Sequence, residues 1–172
     1  LKERNTEIEQ QKEEISTNLD QLAVYNMELA HKNRQITDSI IYAKTIQDTI
    51  LPQNTVFSSH FPDSFIFFKP RDIVSGDFYW LHAQGDLVYL ALADCTGHGV
   101  AGAFMSMIGY TLLNGIIEES SDLSPATALN MLNQKLLTVM RQHESDEAMH
   151  DNGMDITFCV YNKALSLLSI AS

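Results

Sequence analysis

Two aspartates, Asp77 and Asp94, carry the sharpest chemical signal in the chain. Each bounds an apolar, strand-like run: Phe78-Tyr79-Trp80-Leu81 follows the first, and Leu87-Val88-Tyr89-Leu90-Ala91-Leu92-Ala93 precedes the second. Between the runs, Gly85-Asp86 suits a two-residue hairpin turn, with glycine supplying the positive φ at its first central position. That turn pairs Gln84 with Leu87. Carrying the register along the ladder sets Asp77 directly opposite Asp94, where Cβ atoms lie about 4.5–5.5 Å apart. Carboxylates so close repel, and are relieved by solvation, a shared proton or a cation. The plainer alternative is a pair of solvated acids at strand ends.

The next residues favour the cation. Cys95-Thr96-Gly97-His98-Gly99 is a loop whose glycines permit tight turns and exposed carbonyls. Hard cations such as Mg²⁺ and Mn²⁺ take carboxylate, carbonyl and water oxygens. His98 is placed either to donate a proton or to brace the loop. Arg71, six residues before Asp77, is either a phosphate contact or a surface residue. Asp151 and Asp155 read as an exposed acidic turn, with a further cation site as the alternative. Cys95 reads as a small buried filler, since no histidine base is paired with it in the sequence. Tyr79, Trp80, Phe104, Met105 and Met107 read as core. No glycine-rich nucleotide loop is present.

The elements that must hold these residues divide at Pro52. Before it, Ile8, Ile15, Leu22, Leu29 and Ile36 recur seven apart, and Ala43 and Ile50 continue the series. A sustained heptad predicts a coiled coil. At 1.5 Å per residue, such a helix is about 75 Å long. The companion positions Asn5, Lys12, Leu19, Asn26, Asn33, Ile40 and Gln47 are mostly polar, which lowers stability but fixes a parallel register. Residues 1–51 are therefore expected to form a homodimerising and signalling helix, and residues 52–64 a loop-like linker. Within residues 65–172, strands are expected at Phe65–Phe68, 77–81, 87–93, Ile156–Tyr161 and Leu165–Ile170. Helices are expected at Val100–Ile117 and from Ser124-Pro125 onward, the latter with Leu129, Leu132, Leu136 and Met140 on its apolar face. An acidic loop from Glu144 to Gly153 is expected before the last two strands. Hairpins mixed with consecutive helices predict an α+β fold.

Composition narrows the function classes. The chain has 172 residues, with 11 Lys and Arg against 22 Asp and Glu. So acidic a chain does not suit nucleic acid or an anionic membrane surface. The two cysteines, Cys95 and Cys159, lie outside any C-x-x-C pattern, which suits reduced thiols and a cytoplasmic setting. No apolar run is expected to reach membrane-spanning length. The start, Leu1-Lys2-Glu3-Arg4, reads as the middle of a helix and not as a signal peptide.

Lys69-Pro70-Arg71-Asp72-Ile73-Val74-Ser75-Gly76-Asp77-Phe78-Tyr79-Trp80, followed by Ala93-Asp94-Cys95-Thr96-Gly97-His98-Gly99-Val100-Ala101-Gly102 and on to Gly109, resembles the SpoIIE-type branch of the protein phosphatase 2C (PPM) family. Ile46-Gln47-Asp48-Thr49-Ile50-Leu51-Pro52 resembles the linker before that domain, and Asp151-Asn152-Gly153-Met154-Asp155 a later segment of it. The resemblance runs from about residue 36 to the end. It implies part of an α-β-β-α sandwich and a metal-dependent serine/threonine phosphatase with a binuclear Mn²⁺ or Mg²⁺ centre. Water would attack phosphorus in line, without a phosphoenzyme. Asp94 corresponds to the bridging aspartate, the Cys95 backbone carbonyl to the ligand beside it, and Asp77 to the acid of the first motif. The implied substrate is a phosphorylated regulatory protein, such as an anti-sigma factor antagonist. An upstream sensor in the parent protein, where a membrane tether also has room to lie, would supply the input. Ala101 departs from the proline common in this branch. The branch's later metal-binding aspartates have no counterpart in this sequence, so the chain is expected to be a C-terminally truncated fragment, weakly active or inactive. The competing expectation is a non-catalytic dimeric scaffold.

Overall fold

The structure, a computed structural model, describes residues 2–120, 122–141 and 153–172. The chain divides into two compact units, residues 1–40 and 41–172. The long helix α1 (Lys2–Ile50) crosses the division. No Gly or Pro interrupts it, and short-range pairs such as Lys32–Glu28 at 3.0 Å line its surface. In the first unit the heptad residues Ile8, Ile15, Leu22, Leu29 and Ile36 are 43–59% exposed. The last members of the series behave differently. Ala43 and Ile50 are half-buried and Gln47 is fully buried, all within the second unit. The seam expected to run to Ile50 is therefore spent on packing within the chain over its final turns.

Pro52 ends α1 as expected, because the residue before a proline is pushed from helical geometry. The loop-like segment after it contains a two-turn helix, α2 (Asn54–His60). The Gln53 carbonyl starts it by accepting from Val56 and Phe57 at 3.0 and 3.3 Å. Phe61, at its end, packs on Phe57 and on Tyr161 with ring centroids 5.6 and 6.0 Å apart. The strand expected at Phe65–Phe68 does not form. The segment is extended without a ladder partner, with Phe65 and Phe67 88% and 83% exposed. Phe68 turns inward, edge-on to Tyr79 at 5.4 Å.

Four strands make one antiparallel meander in chain order: β1 (Phe78–Gln84), β2 (Leu87–Cys95), β3 (Met154–Asn162) and β4 (Leu167–Ala171). The β1–β2 register is the one the turn dictates, from Gln84↔Leu87 to Phe78↔Ala93, with Gly85 at φ +60°. β4 begins two residues later than expected, because the turn continues through Ser166 at φ +50°.

One face of the sheet is covered by α3 (Gly99–Glu119) and α4 (Pro125–Arg141). The core is Trp80, Tyr89 and Phe158 from the strands, Leu113, Ile116 and Ile117 from α3, and Ala128, Leu132 and Leu136 from α4. Trp80 keeps its indole N–H satisfied by donating to Asn114 Oδ1 at 2.7 Å. Ser124 caps α4, its Oγ accepting from the Thr127 N–H at 3.1 Å.

α3 is long and apolar enough by length and composition to cross a membrane, contrary to the expectation that no apolar run is. It nonetheless buries one flank against the sheet and α4. Met105 lies in the core and Met107 is half-buried, but Phe104 is 62% exposed. Phe104 shares an outward stripe with Val100, Ala101 and Thr111, the side of α3 turned away from the sheet.

Leu87–Ala93, apolar on both faces, predicts a strand buried on both sides. Val88 is fully buried, but Leu92 and Asp94 are exposed, because that end of the second face opens on a groove. The acidic loop from Glu144 lies largely outside the described residues.

Candidate metal centre

The hairpin brings Asp77 and Asp94 together. Asp77 immediately precedes the first paired residue of β1, and Asp94 follows its partner Ala93. Burial, then the contact with the Asp94 carboxyl, then its negative charge push the Asp77 carboxyl above its ordinary value. The same sheet adds a third acid. Asp155 lies on β3 directly opposite Asp94, in a strand and not in the acidic turn expected for it. Asp77, Asp94 and Asp155 line one groove of about 810 Å³, walled by Phe65 to Phe68 on one side and by Leu92 and Ile156 on the sheet. The β1–β2 register follows from a local turn. The β2–β3 register depends on a contact across some sixty residues, and no pattern in the sequence announces it.

The backbone around the pair is tightly fitted. A Cβ on Gly76 would lie 2.9 Å from the Gly97 carbonyl oxygen and 3.2 Å from that of Cys95. One on Gly102, in the first turn of α3, would lie 2.6 Å from the Gly97 oxygen. The segment entering Asp77, the loop leaving Asp94 and the start of α3 therefore touch backbone to backbone. Within the loop, Gly97 and Gly99 take φ +88° and +62°. Thr96 ties it to β3, its N–H donating to the Gly153 carbonyl at 3.0 Å and its Oγ1 accepting from the Gly153 N–H at 2.9 Å.

His98 and Arg71 lie apart from the groove. His98 Nδ1 is 3.1 Å from Asp72 Oδ2, a partner the sequence pattern does not reveal. An ionised carboxylate only accepts, so in this pair the His98 Nδ1–H donates. Arg71 is exposed and makes no ion pair among the described residues.

In type, the donors fit a hard divalent cation. Two carboxylates face each other, and the neighbouring Cys95 carbonyl supplies a third oxygen next to the Gly76–Asp77 segment. The Cys95 thiol is not a competing ligand, because burial, then Asp94 and Asp77, push it up to about 12. The set is incomplete, however. Among the described residues no three His, Cys, Asp or Glu side chains converge closely enough to hold an ion.

A meander with helices on one face and an acid pair at the hairpin mouth defines part of a protein phosphatase 2C-like fold. Among solved structures the chain is similar to the SiaA-PP2C domain of Pseudomonas aeruginosa, with 32% identity and a TM-score of 0.69 over 82% of this chain and 54% of that one. The chain thus spans about half the length of that structure. The family model for Stage II sporulation protein E (SpoIIE) matches residues 84–172. The chain belongs to the SpoIIE family. No curated protein matches it.

Proposed function

We propose that this chain is part of a metal-dependent phosphatase that removes phosphate from phosphoserine or phosphothreonine on a regulatory protein. The observation that carries the reading is the pair Asp77 and Asp94, brought together at the hairpin mouth in one groove of a SpoIIE-family chain. Asp77, Asp94 and the Cys95 carbonyl would hold Mn²⁺ or Mg²⁺. When bound, such ions lower the pKa of an attacking water and neutralise phosphoryl oxygens. The chain's own residues do the rest. The two carboxylates fix where the phosphoryl group sits relative to the sheet edge. The exposed groove leaves a folded phosphoprotein room to approach. His98, held by Asp72, braces the loop that leaves Asp94. Arg71, exposed in the same motif, is available to a phosphate oxygen.

The substrate expected for this branch is an anti-sigma factor antagonist, in a cytoplasmic signalling route with a sensor upstream. The exposed stripe from Ile8 to Ile36 supports a parallel homodimer through the helix of residues 1–51, short of its last turns. A second reading applies to the chain as it stands. The exposed heptad stripe supports a non-catalytic dimeric module.

The test is Mn²⁺-dependent phosphate release from a phosphothreonine peptide by the full-length protein. Asp77→Ala or Asp94→Asn should lower it at least a hundredfold. Unchanged turnover would remove the site assignment.

A further inference from the structure

We infer that Gln47, near the end of α1, is a positioning residue that sets how tightly the Asp77/Asp94 pair takes a divalent cation. The inference rests on the metal reading of that pair.

Gln47 is 4% exposed, unusual for an uncharged polar side chain on a helix surface. Its amide reads both peptide groups of a single residue. Oε1 accepts from the Ser75 N–H at 2.9 Å, while Nε2 donates to the Ser75 carbonyl at 2.7 Å. Nε2 also donates to Ser106 Oγ at 2.9 Å, and that hydroxyl reaches the Ser75 and Ala103 carbonyls at 3.2 and 2.8 Å. Ser75 is itself buried, and besides Gln47 and Ser106 nothing among the described residues bonds its backbone. Three elements therefore meet at one amide: the last turns of α1, the segment leading into β1, and the first turns of α3.

The consequence reaches Asp77 within two residues. Gly76, the single residue between Ser75 and Asp77, has no room for a side chain beside the Cys95 and Gly97 carbonyls. A displaced Ser75 must therefore move Asp77 relative to Asp94. Only a side-chain amide satisfies both peptide groups. Glutamate has no donor for the Ser75 carbonyl, and an apolar side chain leaves a buried N–H unpaired. Turning α1 by one residue would rotate Gln47 by roughly 100° and break all three bonds. The helix end is thus a control point for the metal site.

The test uses the full chain with Gln47→Met, which keeps volume and removes the amide. Two quantities are read: Mn²⁺ affinity, from free Mn²⁺ by electron paramagnetic resonance, and amide hydrogen exchange. We expect exchange at Ser75–Asp77 to rise at least tenfold, exchange in the β2–β3 ladder to stay within twofold, and Mn²⁺ to bind at least fivefold more weakly. Equal Mn²⁺ affinity in Gln47→Met and the parent chain would overturn the inference while leaving the metal reading intact. A parent chain that takes up no Mn²⁺ would overturn both. Should Gln47→Met not fold, Ser106→Ala deletes one acceptor of the same amide and should weaken Mn²⁺ about threefold; no change there would overturn the inference equally.

Discussion

Burial and the neighbouring Asp94 carboxyl hold the Asp77 carboxyl above its ordinary value, which fixes how the pair behaves with pH. The raised Asp77 carboxyl binds its proton more tightly in the folded chain than in the unfolded one. Its contribution to stability is therefore fully present below the ordinary value of 3.8 and is lost as pH rises through the raised one. With metal chelated, Asp77→Asn should flatten that part of the stability profile and raise the melting temperature near neutrality. Thermal melts from pH 4 to 7 check this, and an unaltered slope would place the strain elsewhere. Cys95 gives a second residue-level test. Its thiol is pushed up to about 12, so only its carbonyl is a ligand candidate. Cys95→Ala should leave Mn²⁺ affinity within twofold; a large loss would mean that sulfur is involved.

At the scale of elements, the site is built by close contact more than by side chains. Gly102→Ala places a methyl group 2.6 Å from a backbone oxygen that has no flexible end to move. We expect a loss of about 1–3 kcal/mol in denaturant unfolding, together with weaker Mn²⁺ binding. Ser124→Ala, at the far end of the core, should cost about 1 kcal/mol through the lost cap alone and leave the metal site untouched.

Which elements were legible follows the same division. The β1–β2 hairpin was readable because turn, alternation and register lie within eighteen consecutive residues. The cap of α4 and the stop at Pro52 are local too. Phe65–Phe68 misled, because a short apolar run announces burial or extension but not a ladder partner. Phe104 misled because an apolar helix on one side of a single sheet still has an outer stripe. Asp155 and Gln47 were illegible for a different reason. Their significance comes from partners on other elements, and Gln47 looked like one more polar position in a heptad.

At the scale of the molecule, the heptad residues of the first unit present an apolar stripe that a single chain leaves exposed. Replacing Leu22 and Leu29 by Lys should convert a dimer to monomer in sedimentation equilibrium, with helicity reduced as the seam is lost. A mass that does not change would dissociate the heptad pattern from assembly.

The tight two-residue turn at Gly85-Asp86 has a consequence for how this sequence can vary. Surface hairpins ordinarily tolerate changes in length. Here the acid pair sits at the opposite end of the same ladder, about 25 Å from the turn at the rise of a β-strand. Because the pleat repeats every two residues, gaining or losing a single residue within either strand sends one carboxylate to the opposite face. Relatives of this hairpin can vary in composition at its exposed positions, but their length between the two acids is bound to a parity rule.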